Sequence, residues 1–179
     1  MRATKNGRVW REAFQEQMRL LDYSAMAPSE NLAMDEVLLN RVEEGAAPPT
    51  LRFWESPVRF AVIGTGQSLA QEVNEEACRE DGITIMRRCT AGGAVLQGPG
   101  SLNYALALSY EACPAVKTLH GSYEHILNAI AAAFQRRGAA VRYEGVCDLA
   151  VDGGKVSGNA QRRRRRAMLH HGTLLYRPD

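Results

Sequence analysis

The sequence predicts an α+β domain in which a mixed or mostly antiparallel sheet is packed with helices. Three observations predict it. Short apolar runs of strand length follow one another through tight turns at 51–63 and again at 141–176, rather than alternating singly with helices. Three longer stretches, 9–21, 29–42 and 119–137, repeat their apolar residues every three or four positions and read as helices. The length of 179 residues sets an expectation of one domain, 1–179, with a core large enough to stand alone if the fold is complete.

Composition narrows the class. Hydrophobic residues make up 45% of the chain and charged ones 23%, ordinary values for a water-soluble domain. No apolar run approaches the ~20 residues of a membrane span. The N-terminal MRATKNGRVWREAF has no apolar segment behind its charges, so a secretory signal is not expected. Cys78, Cys89, Cys113 and Cys147 form neither a C-x-x-C pair nor a disulfide framework, and a reducing, cytoplasmic setting is the expectation. The net charge of +2 is unevenly spread: residues 136–179 hold ten of the 22 Lys and Arg and four of the 20 acids, +6 against −4 for the rest. A basic surface of that kind suits an acidic partner or a phosphate-bearing ligand.

In chain order, the stretch 9–21 places Phe14, Met18 and Leu21 on one helical face. Ser29 is the expected N-cap of the next helix, which runs to about Val42 with Leu32, Val37, Leu38 and Leu39 as its apolar face. Asp35 and Glu36 then read as a solvated face. Gly45 and Pro48-Pro49 stop this helix, and strands are expected at 51–55 and 58–63, with Trp54 and Phe60 in the core. A short polar helix at 73–80 leads to the apolar run of Ile83, Ile85 and Met86. Arg87 and Arg88 follow, then a small-residue loop, then a second apolar run at 102–108. The stretch 119–137 is a packing helix through Tyr123, Ile126, Leu127, Ile130 and Phe134, and Gly138 stands where its C-terminal stop belongs. Strands at 141–143, 149–151 and 156–157 form a meander with a tight turn at Asp152-Gly153-Gly154, and 169–176 closes the sheet.

Two stretches concentrate the chemistry. The first, RRCTAGGAVLQGPGSLNY (87–104), joins two forked cation donors to a loop whose Gly92, Gly93, Gly98 and Gly100 let a backbone approach a ligand closely. By itself it is either a cradle for an acyl group or a phosphate, or a hairpin that merely turns. The second, DLAVDGGKVSGNAQRRRRRAMLHHGTLLY (148–176), sets Lys155 among apolar and small residues ahead of a basic run. By pattern Lys155 is either an edge lysine that blocks strand association or a functional cation. Together the two stretches resemble the catalytic domain of the lipoate–protein ligase A family, which is related to biotin ligases and octanoyltransferases. The family motif R-R-x-S-G-G-G-A-V-x-H-D-x-G-N-x-N is matched by Arg87-Arg88, Thr90 and Gly92-Gly93-Ala94-Val95. D-L-x-V-x-G-x-K-x-S-G-x-A is matched by Asp148-Leu149, Lys155, Ser157-Gly158 and Ala160, and H-H-G-T-L-L by His170-His171-Gly172-Thr173-Leu174-Leu175. Asn31-Leu32-Ala33-Met34-Asp35-Glu36 and the G-x-x-Q of Gly64 to Gln67 extend the resemblance from about Asn31 to the end of the chain.

The resemblance implies an enzyme that activates lipoate or octanoate with ATP and Mg²⁺ and transfers the acyl group to a lysine of a lipoyl domain. A free carboxylate does not acylate an amine, so such a ligase first forms an acyl-adenylate and releases pyrophosphate. It implies Lys155 as the catalytic cation over the acyl carbonyl and phosphate, with Arg88 facing the phosphate or carboxylate. Gly92, Gly93 and Ala94 line the acyl-adenylate, Asn103 positions loop or ligand, and Ser157 and Gly158 lie beside it. Asp148 holds Mg²⁺ or orients Lys155, and His171 lines the acyl pocket.

Thr90 keeps a hydroxyl where the motif has Ser, Ala91 replaces a Gly, Leu96-Gln97 stands for His-Asp, and Gly100-Ser101 for Gly-Asn. Octanoyltransferases of this superfamily instead carry the acyl group as a cysteine thioester and use no ATP. In one branch the cysteine matches Met168, which cannot serve, so Cys147 beside Asp148 is the candidate nucleophile of that alternative. The run Arg162 to Arg166 is either a plain solvated loop or a docking site for an acidic lipoyl domain or acyl carrier protein. A basic nucleic-acid-binding module is the alternative of another class, against which stands the lack of aromatic-rich RNP-like strands. The family's domain continues beyond residue 179, so a catalytic unit incomplete at this end, or completed by a second chain, is expected.

Overall fold

The computed structural model describes residues 18–177. Its strands are β1 (Arg19–Asp22), β2 (Thr50–Trp54), β3 (Phe60–Ile63), β4 (Thr84–Arg87), β5 (Val95–Gln97), β6 (Ser101–Ser109), β7 (Arg142–Glu144), β8 (Asp148–Val151), β9 (Gly154–Arg163) and β10 (Ala167–Leu175). The helices are α1 (Pro28–Glu43), the short α2 (Leu69–Glu72) and α3 (Glu75–Glu80), and α4 (Leu119–Gln135). A seven-stranded sheet runs β1-β2-β6-β10-β9-β8-β7 and a three-stranded sheet runs β4-β3-β5. Only β1 with β2 and β3 with β4 pair parallel, so the expected α+β class with a mixed sheet holds.

Strand alternation separates two faces of the large sheet. Ala105, Ala107, Ala167 and Leu169 face α1, which packs Leu38, Leu39 and Val42 against them. Leu106, Leu108 and Met168 face the other way, onto Val116 and Ile126, and Leu149 meets Tyr123, Leu127 and Ala131 of α4 there. The small sheet covers the α1 side, where Phe60 and Val62 pack on Trp54 and Leu32.

Several boundaries differ from expectation. Most of the helix read at 9–21 lies outside the described residues, and its described end is strand. Arg19 N–H donates to Pro49 O at 2.8 Å and Tyr23 N–H to Phe53 O at 3.2 Å, so pairing along the open edge of β2 overrides helical periodicity. α1 begins at Pro28 with extended Ala27 as its cap, because proline lacks the N–H that a first helical residue would leave unsatisfied; Ser29 is already inside. The arginine run is not one loop. Arg162 and Arg163 belong to β9, paired with Leu169 and Met168, and only Arg164 to Arg166 make the turn into β10. The β8–β9 turn follows the expectation: Asp152 and Gly153 have φ of 49° and 78°, the two left-handed positions of a two-residue hairpin. Among the described residues no helix is long and apolar enough to cross a membrane.

Candidate active site

Strand register assembles the site's floor. Trp54 pairs with Asn103, Asn103 with Thr173, Thr173 with Gly158, and Gly158 with Asp148, one row across five strands. At about 4.8 Å per strand the row spans about 19 Å. The next row on the same face is Arg52, Ala105, His171 and Ala160. Over these rows lies a cavity of about 220 Å³, roofed by the loop 91–95 and by the small sheet. It is lined by Arg88, Gly92, Gly93, Ala94, Asn103, Cys147, Asp148, Lys155, Gly158 and His171, which are thereby brought together from distant parts of the sequence. Ser157 is the exception. It is fully buried on the opposite face, where its hydroxyl accepts from Asn159 Nδ2 at 3.2 Å.

A bulge aims Lys155. Leu149 pairs with Ser157 but Ala150 pairs with Lys155, so β9 carries one extra residue between these pairs. In regular strand Lys155 and Ser157 would share a face. The inserted residue turns Lys155 to the cavity side instead, where Nζ reaches Asp148 Oδ1 at 2.9 Å. Its side chain lies across Gly158: a Cβ there would stand 3.2 Å from Nζ and Cε. Glycine at this position leaves room for the lysine, whose ammonium is held by Asp148 while more than half of its side chain stays exposed.

Arg88 is committed to the loop. Its Nε donates to Thr90 Oγ1 at 3.0 Å, and NH2 donates to the carbonyls of Ala91 and Gly93, each at 2.9 Å. Burial lowers its pKa from the ordinary guanidinium value. It therefore shapes the cradle as well as bordering it. Arg87 does the same from outside, donating to Gly64 O at 2.6 Å and Gln67 O at 2.9 Å.

A buried polar line escaped the sequence reading. Asp35, expected on a solvated face, is 1% exposed. Fully buried Arg52 donates to its Oδ1 at 2.7 Å, and His171 Nδ1 lies 3.1 Å from its Oδ2. His171 Nε2 contacts Thr90 Oγ1 at 2.8 Å. The Arg52 guanidinium also covers the Trp54 ring, 5.3 Å from its centroid. The acid in N-L-A-x-D-E, the Thr90 hydroxyl and His171 were the sequence signals for this line; the arginine that pairs with Asp35 lies seventeen residues on in β2. His170, on the other face, is a packed residue between Tyr104 and Tyr123.

Counted from Arg87, the motif's His-Asp falls on Gln97-Gly98, one residue later than Leu96-Gln97. Gln97 is buried and donates to Thr173 Oγ1 at 3.1 Å, and Thr173 donates to Asn103 Oδ1 at 2.8 Å, tying the small sheet to the floor. Gly98 has no space for a carboxylate: a Cβ would approach Arg59 Cγ to 2.9 Å.

The charges suit an activated acyl group. Among the described residues no three His, Cys, Asp or Glu converge as a metal cage. Mg²⁺ arriving with a nucleotide needs only one or two protein carboxylates besides the phosphates, and Asp148 fits that demand. Cys147 lies with its sulfur 3.6 Å from Asp148 Oδ1. Burial and then the Asp148 charge raise its thiol pKa, which disfavours the thiolate.

Comparison with known proteins follows the same lines. Residues 27–179 match the model of the lipoyl protein ligase A/B catalytic domain. Octanoyltransferase LipM of Brevibacillus brevis is 29% identical, over 92% of this chain and 67% of that protein. LipM of Geobacillus kaustophilus is 32% identical, over 88% and 64%. A lipoate-protein ligase A crystallised with ATP superposes with a TM-score of 0.82 at 26% identity, over 92% of this chain and 68% of that one. The bi-partite lipoate protein ligase of Thermoplasma acidophilum, analysed with its E2 lipoyl domain, gives 0.81 at 26% identity, over 92% and 64%. The chain spans about two thirds of the length of the curated relatives it matches.

Proposed function

Because the chain belongs to the lipoyl protein ligase A/B catalytic domain family, we propose that it activates octanoate or lipoate with ATP and Mg²⁺ and transfers the acyl group to a lysine of a lipoyl domain. The observation that carries this reading is Lys155, turned by a bulge into the cavity and held by Asp148 at 2.9 Å.

The acyl carboxylate attacks the α-phosphorus, the bond to pyrophosphate breaks, and a mixed anhydride with AMP remains. The acceptor ε-amine, as free base, then attacks the acyl carbonyl, and AMP leaves with the electron pair of the broken C–O bond. Lys155 places positive charge where negative charge gathers on the carbonyl oxygen and phosphate in both steps. Asp148 holds that ammonium in place and offers a carboxylate to the substrate's Mg²⁺. Trp54, Val62 and Leu32 give an apolar wall for the acyl chain. The lipoyl domain as acceptor, and a second chain as helper, are supported by likeness to the bi-partite T. acidophilum ligase.

A second reading, transfer from octanoyl carrier protein through a Cys147 thioester, is favoured by the LipM relatives and by the cavity position of that cysteine. The raised thiol pKa weighs against it.

Intact mass of a lipoyl domain, incubated with the chain and either octanoate, ATP and Mg²⁺ or octanoyl carrier protein alone, separates the two. The ligase reading expects acylation in the first mixture and undiminished transfer by Cys147→Ser. Acylation in the second mixture alone, with an acyl adduct on Cys147 and a dead Cys147→Ser, overturns it.

A further inference from the structure

We propose that Thr90, His171 and Asp35 are positioning residues that set the Gly92–Ala94 loop in its ligand-binding shape from within the core. The inference rests on the acyl-transfer reading only for what the loop binds.

The line of bonds has a single sense. Arg52 donates to Asp35 Oδ1 at 2.7 Å, and a carboxylate paired with a guanidinium only accepts. The hydrogen in the 3.1 Å contact with Asp35 Oδ2 therefore sits on His171 Nδ1. In the neutral ring Nε2 is then an acceptor, so the 2.8 Å contact requires the Thr90 hydroxyl to donate. Thr90 Oγ1 keeps a lone pair, and Arg88 Nε–H takes it at 3.0 Å. With Nε pinned, the planar guanidinium has one orientation left. Its NH2 gathers the carbonyls of Ala91 and Gly93 at 2.9 Å.

Across trans peptides the N–H groups of Gly92 and Ala94 point opposite to those two carbonyls. Neither donates a hydrogen bond to another group among the described residues. Both residues border the cavity, so the loop offers these donors to a bound oxyanion or phosphate. Gly92 completes the arrangement: its φ is +102°, and a Cβ would stand 2.9 Å from Arg88 NH2. The helix carrying Asp35 and the strand carrying Arg52 thus fix the direction of loop donors that neither of them touches.

Long-range ¹H–¹⁵N spectra of the full chain at neutral pH read the His171 tautomer directly. Nδ1–H is expected in the wild type and in Thr90→Ser, and an Nε2–H or doubly protonated ring overturns the lock. In the acyl-transfer assay Thr90→Val, which keeps shape and loses the hydroxyl, is expected to lower kcat/KM by about 10²-fold, the scale of a small misplacement at a reacting centre. Thr90→Ser restores it. Wild-type kcat/KM in a folded Thr90→Val protein refutes the positioning role. A wild-type chain that transfers no acyl group from any donor sinks the functional reading instead, and the tautomer still decides the lock.

Discussion

Lys155 pairs with Asp148 at the rim of a cavity, with 59% of its side chain exposed. Exposed pairs of this kind contribute about 0–1 kcal/mol. Lys155→Ala is therefore expected to melt within about 4 °C of the wild type while losing about 10²- to 10³-fold in acyl transfer. Near-normal transfer by the folded variant would remove Lys155 from the chemistry. This lysine stood out in the sequence because it lies among small and apolar residues ahead of the basic run, and because the motif around it is long. Ser157 was misplaced for a related reason: the motif gives spacing but not face, and the bulge that sends Lys155 to the cavity leaves Ser157 on the far side. Asp35 stands three and four residues before Leu38 and Leu39 and seven before Val42, on the stripe that α1 buries, so its face was legible from the period and only its charge argued for solvent. It is buried because Arg52 arrives from β2 with a matching charge, a contact that periodicity within one helix cannot express.

At the scale of elements, the pairing of β9 with β10 divides five identical arginines into two groups. Arg162 donates to Cys89 O at 2.6 Å, and Arg163 to Val116 O and Lys117 O at 2.8 and 2.7 Å, so both staple loops to the sheet. Arg164 to Arg166 lie exposed at the turn. Arg162→Ser and Arg163→Ser are each expected to destabilise the fold by about 1–3 kcal/mol, since partly buried carbonyls lose their donors. Replacing Arg164 to Arg166 with Ser is expected to leave denaturant midpoints nearly unchanged. If the turn docks an acidic acceptor, that triple change raises the acceptor KM at low salt and much less at high salt, because exposed charges are screened beyond ~8–10 Å. A salt-independent KM would leave the turn as plain surface. Composition reports the run of charge; strand register decides which of its members face inward.

For the whole molecule, the succession of short strands was enough to predict an α+β fold, and ten of the eleven candidate residues, nine from the two motifs and Cys147 beside the second, line one cavity. The division into two sheets was not readable, because β3 continues from β2 after a short turn and yet pairs with β4 and β5. A polar core lies between the sheet and α4. There His170 is fully buried, with Nε2 3.2 Å from the Tyr104 hydroxyl and Nδ1 3.1 Å from Gln161 Nε2. Burial, and then the neighbouring His171, push its pKa down to about 3. The unfolded chain takes up this proton near the ordinary value of about 6.5. Between those two values the unfolded state binds more protons than the folded one. The His170 contribution to stability is therefore present above about pH 6.5 and is lost progressively as pH falls toward 3. Urea unfolding from pH 7.5 down to 4.5 is expected to show a steeper fall of stability for the wild type than for His170→Gln, which keeps a polar side chain there and has no proton to bind. Parallel curves would assign the acid sensitivity to other groups and place the His170 proton on the folded state as well.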